Sequence, residues 1–237
     1  RMSIQGVQPK ISAVVNPRRG MFELVDSGGM YILKPRNTSY PQLPENEDLS
    51  MRLAACAGIE TPLHGLVYSK DGSMTYFIRR YDRPAGKSRL PVEDFAQLSG
   101  RSRETKYESS MEKVAKLIDT YTTFPALEKA RLFSRTLLNF LIGNEDMHLK
   151  NFSLITRKGR VELAPAYDFL NTSLVLRSPE EMALPLNGKR NRLGRSDFID
   201  YFAGEKLELT EKTINRALDQ FRKVLPEWEE LISRSFL

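Results

Sequence analysis

Cysteine is almost missing from this chain: Cys56 is the only one in 237 residues. A lone thiol closes no internal disulfide, which fits a reducing, cytoplasmic setting. Because it sits in an apolar helical stretch, Cys56 is expected to be a small core residue rather than a nucleophile. Histidine is nearly as scarce, and with only His64 and His148 beside one cysteine no zinc site can be composed at the usual ligand spacings. No apolar run approaches the roughly 20 residues that cross a bilayer, and no signal-peptide pattern opens the chain, so no membrane partner is expected. Internal repeats and low-complexity tracts are lacking too.

What is present is ordinary in bulk and informative in detail. Apolar residues make up 41% and charged residues 28%, as in a soluble globular protein long enough for one large domain or two lobes. Thirty-six basic residues against 30 acidic ones give a net charge of +6, which favours an anionic partner such as a nucleotide or nucleic acid. The basic residues form no single arm or tail, although Lys189-Arg190-Asn191-Arg192 and Arg101-Ser102-Arg103 are local clusters. A chain that begins Arg1-Met2 reads as an excerpt of something longer.

The order of elements changes character part-way. Apolar runs at Ile11–Val15, Met21–Val25 and Met30–Lys34 read as strands, with Ser27-Gly28-Gly29 as a hairpin turn and Pro35 ending the third strand. A helix is expected from about Glu45 to Ala57, capped by Gly58, and a second hairpin over Leu63–Tyr68 and Met74–Ile78. Beyond Tyr81–Pro84 the pattern becomes helical. A capping box at Ser109-x-x-Glu112 opens a helix burying Met111, Val114, Ala115, Ile118 and Tyr121. Leu127–Ile142 forms the next, with Ala130, Phe133, Leu137 and Phe140/Leu141 inward, and a hairpin turns across Arg157-Lys158-Gly159. Helices near Ser196–Phe202 and Thr210–Leu225 follow, and a last one starts at Pro226. The expected fold is therefore α+β and two-lobed, like a protein kinase: residues 1–82 form a small β-rich lobe with one helix, and 83–237 a larger helical lobe.

The most polar stretch between apolar elements is Gly143-Asn144-Glu145-Asp146-Met147-His148-Leu149-Lys150-Asn151. Asp146, Asn151 five positions later and Asp168 beyond a hairpin have the spacing of a phosphoryl-transfer centre. On that reading Asp146 is the catalytic base, and Asn151 and Asp168 hold magnesium, whose other ligands are water and nucleotide phosphates. Lys150 is placed to neutralise the transferring group, with a solvated loop lysine as the alternative. His148 is a loop histidine that either shapes the turn or meets the cofactor. Lys34, closing the third strand, is the candidate for the ATP phosphates, with Glu45 or Glu47 as its partner and Glu47 favoured. Residues 3–10 form the phosphate-covering loop, poor in glycine but offering Gly6, Gln8 and Lys10. Arg79 to Tyr81 form the hinge facing adenine.

With these residues assembled, the chain resembles the HipA-like serine/threonine kinase toxins of bacterial toxin–antitoxin systems. The resemblance is carried by Gly6–Lys10, Ile32–Pro35, Glu45–Glu47, Ala57–Glu60, Arg80–Arg83, Arg89–Asp94, Lys106–Glu108, Gly143–Ser153, Leu163–Asp168 and Met182–Leu184. It implies ATP and Mg2+ as cofactors and a protein substrate, an aminoacyl-tRNA synthetase, whose phosphorylation halts translation. It also implies an antitoxin partner, with DNA reached only through the antitoxin complex. Autophosphorylation in the covering loop would fall on Ser3, and a phosphate there should eject the loop from a site built for anions. The opening Ser3-Ile4-Gln5 is similar to the shorter HipT-type toxins of three-component systems, which implies a target like tryptophanyl-tRNA synthetase. Asn144-Glu145-Asp146 in place of His-Arg-Asp, and Leu170 where a glycine would follow Phe169, depart from ordinary protein kinases. Two other readings remain open: a kinase for small alcohols or antibiotics, and a catalytically idle nucleotide-sensing module that docks an antitoxin or DNA.

Overall fold

The computed structural model describes residues 8–40, 42–84, 89–175 and 180–237. Strands β1 (Ile11–Asn16), β2 (Met21–Leu24), β3 (Tyr31–Pro35), β4 (His64–Tyr68) and β5 (Met74–Arg79) make one antiparallel sheet in the order β2-β1-β3-β5-β4. Helix α1 (Leu43–Cys56) is inserted between β3 and β4. It begins with Pro44 in its first turn and ends where Gly58, at φ +78°, accepts the left-handed conformation that releases the chain. The strand–strand–strand–helix–strand–strand order expected from the sequence is the one observed.

The rest is mainly helical. Helix α2 is the short Phe95–Leu98, α3 spans Met111–Tyr121, α4 spans Pro125–Leu141 and α5 spans Glu211–Ser233. A π-helical segment, Asp197–Lys206, precedes α5. A second sheet of three strands, β6 (Val92–Asp94), β7 (Ser153–Arg157) and β8 (Arg160–Leu163), carries the site-bearing chain. The β7–β8 turn is the pair Lys158-Gly159, both at positive φ (49° and 75°), the primed geometry that suits strand twist. One apolar core runs from Met51 and Tyr76 through Phe95 and Ile118 to Phe202 and Trp228, so the strands and helices share it.

Several sequence expectations are corrected. The cap of α3 is Ser110, whose hydroxyl accepts from the Lys113 N–H, and not Ser109. Tyr121 and Leu141 are about half exposed, because the helical repeat carries each of them off the core-facing stripe. Cys56 is only partly buried and donates to Glu227. Pro226 starts no helix: α5 runs through it, held on both sides by buried Phe221, Val224 and Trp228, whose indole N–H donates to the Leu53 carbonyl at 3.1 Å. Strand β6 and helix α2 were not foreseen. Three residues of strand are too few for an alternation pattern, and β6 exists because β7 pairs with it. Ser3 and Gly6 lie outside the described residues.

Candidate active site

Lys34 is at the centre. Antiparallel pairing puts it opposite Tyr76 on β5, with its side chain turned into the protein at 1% exposure. Its ammonium donates to Glu47 of α1 at 2.5 Å and to Asp168, and stands 5.6 Å from the Tyr76 ring centre. Glu45, the other candidate partner, makes no such contact among the described residues, where one of its carboxylate oxygens is buried without a partner. Lys10 reaches the second Asp168 oxygen at 3.5 Å. Burial alone would neutralise Lys34, but Asp168 and Glu47 outweigh it and hold the ammonium charged. Burial likewise works to raise Asp168, yet Lys10 and Lys34 keep its carboxyl far below the usual range. Glu47, facing the same lysine, is pushed up to about 7 by burial, the stronger ion pair being Lys34 with Asp168. Asp168 sits at φ +59°, a left-handed backbone that Asp adopts more readily than most residues.

The polar loop enters from α4 through Gly143, at φ +67°, where a Cβ would stand 2.7 Å from the Ser173 hydroxyl. Asn144 steadies the turn by donating to the Asn139 side chain and accepting the Asp146 N–H. Asp146 is buried and accepts from the Tyr107 hydroxyl at 2.5 Å. His148 packs edge-on against the same tyrosine ring at 5.0 Å. Its ring nitrogens are enclosed with no hydrogen-bond partner among the described residues, and burial, then Lys106, pushes it down to about 3. Asn151 turns its amide oxygen back to the His148 N–H at 3.1 Å. Lys150 points the other way and donates to Asp94 at 2.6 Å.

A cavity of about 410 Å3 opens between the sheet and this loop. Of the residues singled out from the sequence, Lys10, Lys34, Arg79, Tyr81, Lys150 and Asp168 line it. Glu47 stands behind Lys34, while Asp146, His148 and Asn151 do not contribute to its wall. Gln8 is turned away, donating to the Pro35 carbonyl at 3.4 Å. At the hinge the Arg79 and Arg80 N–H groups are taken by Leu63 and Met30, both at 2.8 Å, which leaves the Tyr81 N–H without a backbone partner among the described residues. The Tyr81 ring stacks on Tyr167, which is bonded in turn to Ser153 and to the Lys150 carbonyl.

Sequence reasoning missed four of these contacts. Tyr107 and Asp94 hold the loop's aspartate and lysine, and Tyr167 backs the cavity. Asn46 clasps Asn171 through both its N–H and its carbonyl, at 2.8 and 2.9 Å, and so ties α1 to the chain just past Asp168. A polar residue between Glu45 and Glu47, buried on a helix, was the only sequence signal for it.

An ionised carboxylate and an amide oxygen are donor types from which magnesium builds a site completed by water and phosphate. Of the two, Asp168 lines the cavity, while the Asn151 amide oxygen accepts the His148 N–H. Both Asp168 oxygens already accept from ammonium groups, so the carboxylate is set to meet positive charge. Among the described residues no group of three or more His, Cys, Asp or Glu forms a metal cluster of its own, and no helix is long and apolar enough to cross a membrane.

Residues 2–228 match the family model of the HipA-like C-terminal domain. The chain belongs to the HipA-like kinase family. It is 31% identical to a Haemophilus influenzae protein named "Putative kinase" over all of this chain and 76% of the relative. It is 32% identical to a Sinorhizobium fredii protein named "Putative kinase Y4dM" over 97% of this chain and 59% of that one. The Shewanella oneidensis serine/threonine-protein kinase toxin HipA is 25% identical over 79% of this chain, which spans 47% of that relative. Among solved structures, Shewanella oneidensis HipA, in complex with HipB and operator DNA, superposes with a TM-score of 0.79 at 22% identity, over 98% of this chain and 58% of that one. The Helicobacter pylori proinflammatory kinase CtkA gives 0.63 at 14%, over 97% and 89%. The fold is thus the α+β kinase-like one expected from the sequence.

Proposed function

We propose that the chain is an ATP- and magnesium-dependent protein serine/threonine kinase, the toxin of a toxin–antitoxin pair. The observation that carries this reading is Lys34 bound at once to Glu47 and Asp168 on the wall of a basic cavity. Five basic side chains there (Lys10, Lys34, Arg79, Arg80 and Lys150) face three carboxylates (Asp82, Asp94 and Asp168), a balance suited to a polyphosphate. Lys34 and Lys10 would hold the phosphates, the Tyr81 N–H would meet the adenine edge, and Asp168 with Asn151 would hold the metal. When bound, ATP supplies the phosphoryl group and magnesium neutralises its oxygens. Asp146 would accept the proton of the substrate hydroxyl, positioned by the Tyr107 hydroxyl. Lys150 would leave Asp94 to face the transferring group, and His148, sealed and neutral, would shape the loop rather than touch nucleotide.

The lobes would divide at 82/83, where the chain leaves the five-stranded sheet. The contact of Lys10 with Asp168 supports a place for Lys10 at the nucleotide phosphates, and regulation by autophosphorylation at Ser3 would follow from the family resemblance. Relatives named as a HipA toxin, and one solved with HipB and operator DNA, support an antitoxin partner and DNA contact through it. The protein target would be an aminoacyl-tRNA synthetase, with tryptophanyl-tRNA synthetase the first to test, and the setting cytoplasmic. Phosphotransfer from labelled ATP to that synthetase and to Ser3 should fall at least about 100-fold in Asp146→Asn. Normal activity in the variant would remove Asp146 from the base role. Transfer to a small alcohol and to no protein would overturn the protein-kinase reading.

A further inference from the structure

A second cavity, lined by other residues, is larger than the first. It has a volume of about 820 Å3 and lies between the chain leaving α1 (Ala57–Glu60), helix α4 and helix α5. We propose that it is a second ligand site, for a small organic anion with an apolar or aromatic body. Nothing in this inference depends on the kinase reading.

Arg135 is the decisive residue. It lines the cavity yet is only 4% exposed, and no carboxylate lies within ion-pair distance of it among the described residues. One terminal nitrogen donates to the Ala164 carbonyl at 2.5 Å, while its Nε is buried with no partner. A guanidinium withdrawn from water with a donor unmet is unfavourable unless an anion completes it. Burial also lowers its affinity for its own proton, to about 10, which marks the same deficit. Arg131, one turn earlier on α4, faces the same space, and two like charges at this spacing repel. Glu128 pairs directly with Arg131 at 3.3 Å, and it and Glu60 offset the Arg135 charge only from beyond ion-pair distance. Arg216 approaches from α5. Against these three cations the lining holds one carboxylate, Glu60, already bonded to Arg157 at 3.0 Å.

Ala57, Ile59, Phe133 and Ala217 add apolar surface to the same lining, and Ser134 and Thr213 add hydroxyls. Basic groups, apolar surface and a volume in the usual range for small-molecule sites select an anionic head on a hydrophobic body. Inorganic phosphate would fill only part of it. The lining is also bonded to the chain that leads to Asp168: Arg135 holds the Ala164 carbonyl, and the Glu60 carbonyl accepts the Ala166 N–H at 2.7 Å.

Phenyl phosphate is a suitable probe, titrated calorimetrically into the full chain. We expect one binding event per chain, weakened at least tenfold in Arg216→Glu, whose exposed side chain leaves the melting temperature unchanged. Arg135→Lys should weaken it at least fivefold, and Lys10→Ala, in the first cavity, by less than twofold. Inorganic phosphate and benzyl alcohol should each bind at least tenfold more weakly than phenyl phosphate. An absence of binding would overturn the proposal. So would an affinity that survives Arg216→Glu, or one that is lost in Lys10→Ala.

Discussion

His148 and Glu47 are both buried titratable groups near Asp168, and their effects on stability have opposite signs. Unfolded, His148 takes up its proton near 6.5, but folded only near 3, so between those values the unfolded chain binds more protons. Its contribution to stability therefore rises with pH over that window, by up to about 1.4 kcal/mol per unit, and is lost as pH falls. Glu47 moves from 4.5 to about 7 on folding, so the folded chain binds more protons there and stability falls as pH rises. The two offset each other between about 4.5 and 6.5, the overlap of the two windows. Urea unfolding of His148→Gln should expose a decline in stability with rising pH across that range, and Glu47→Gln the reverse. Parallel profiles for wild type and both variants would contradict these assignments.

At the scale of elements, α5 shows what a local signal can and cannot say. Pro226 is a good first-turn residue, and read locally it starts a helix; in the structure it lies inside one. The apolar stripe through Phe221, Val224 and Trp228 gains more by staying continuous than the missing N–H loses. Replacing Pro226 with Ala should restore that hydrogen bond and stabilise the chain by about 1–3 kcal/mol, read from the denaturation midpoint. A lower midpoint would mean that the proline is fitted to a bend the helix needs. The same limit explains the Ser109/Ser110 displacement, since adjacent serines offer the same chemistry and only the backbone decides between them. Strand order, α1 and the β7–β8 turn were legible because alternation, helical spacing and glycine act within a few residues. Lys34 and Asp168 could be picked out for a related reason, each being a charge set among apolar neighbours, and Glu47 only as one of two glutamates in the helix that follows Lys34. Tyr107, Asp94 and Asn46 could not, because their partners lie 39, 56 and 125 residues away and nothing nearby in sequence marks the pairing.

For the whole molecule, α1 is the shared member. Glu47 faces Lys34 in the sheet, Asn46 holds Asn171 beyond Asp168, and Leu53 accepts from Trp228 on α5. Four bonds from one helix join the strands, the site-bearing chain and α5. Asn46→Ala deletes both bonds to Asn171 from a position 2% exposed, and should cost about 2–3 kcal/mol in a single cooperative transition. Two separated transitions would show that the sheet and the helices are less coupled than these contacts imply.

The bond from Trp228 to Leu53 spans 175 residues, and it also has a bearing on synthesis. At about 5–20 residues per second, a ribosome delivers Trp228 roughly 9–35 s after Leu53. Throughout that interval α1 lacks the helix that covers its back, and Lys34, Glu47 and Asp168 lack the settled frame that aligns them. Helix α1 would thus gain this cover only once α5 has been made.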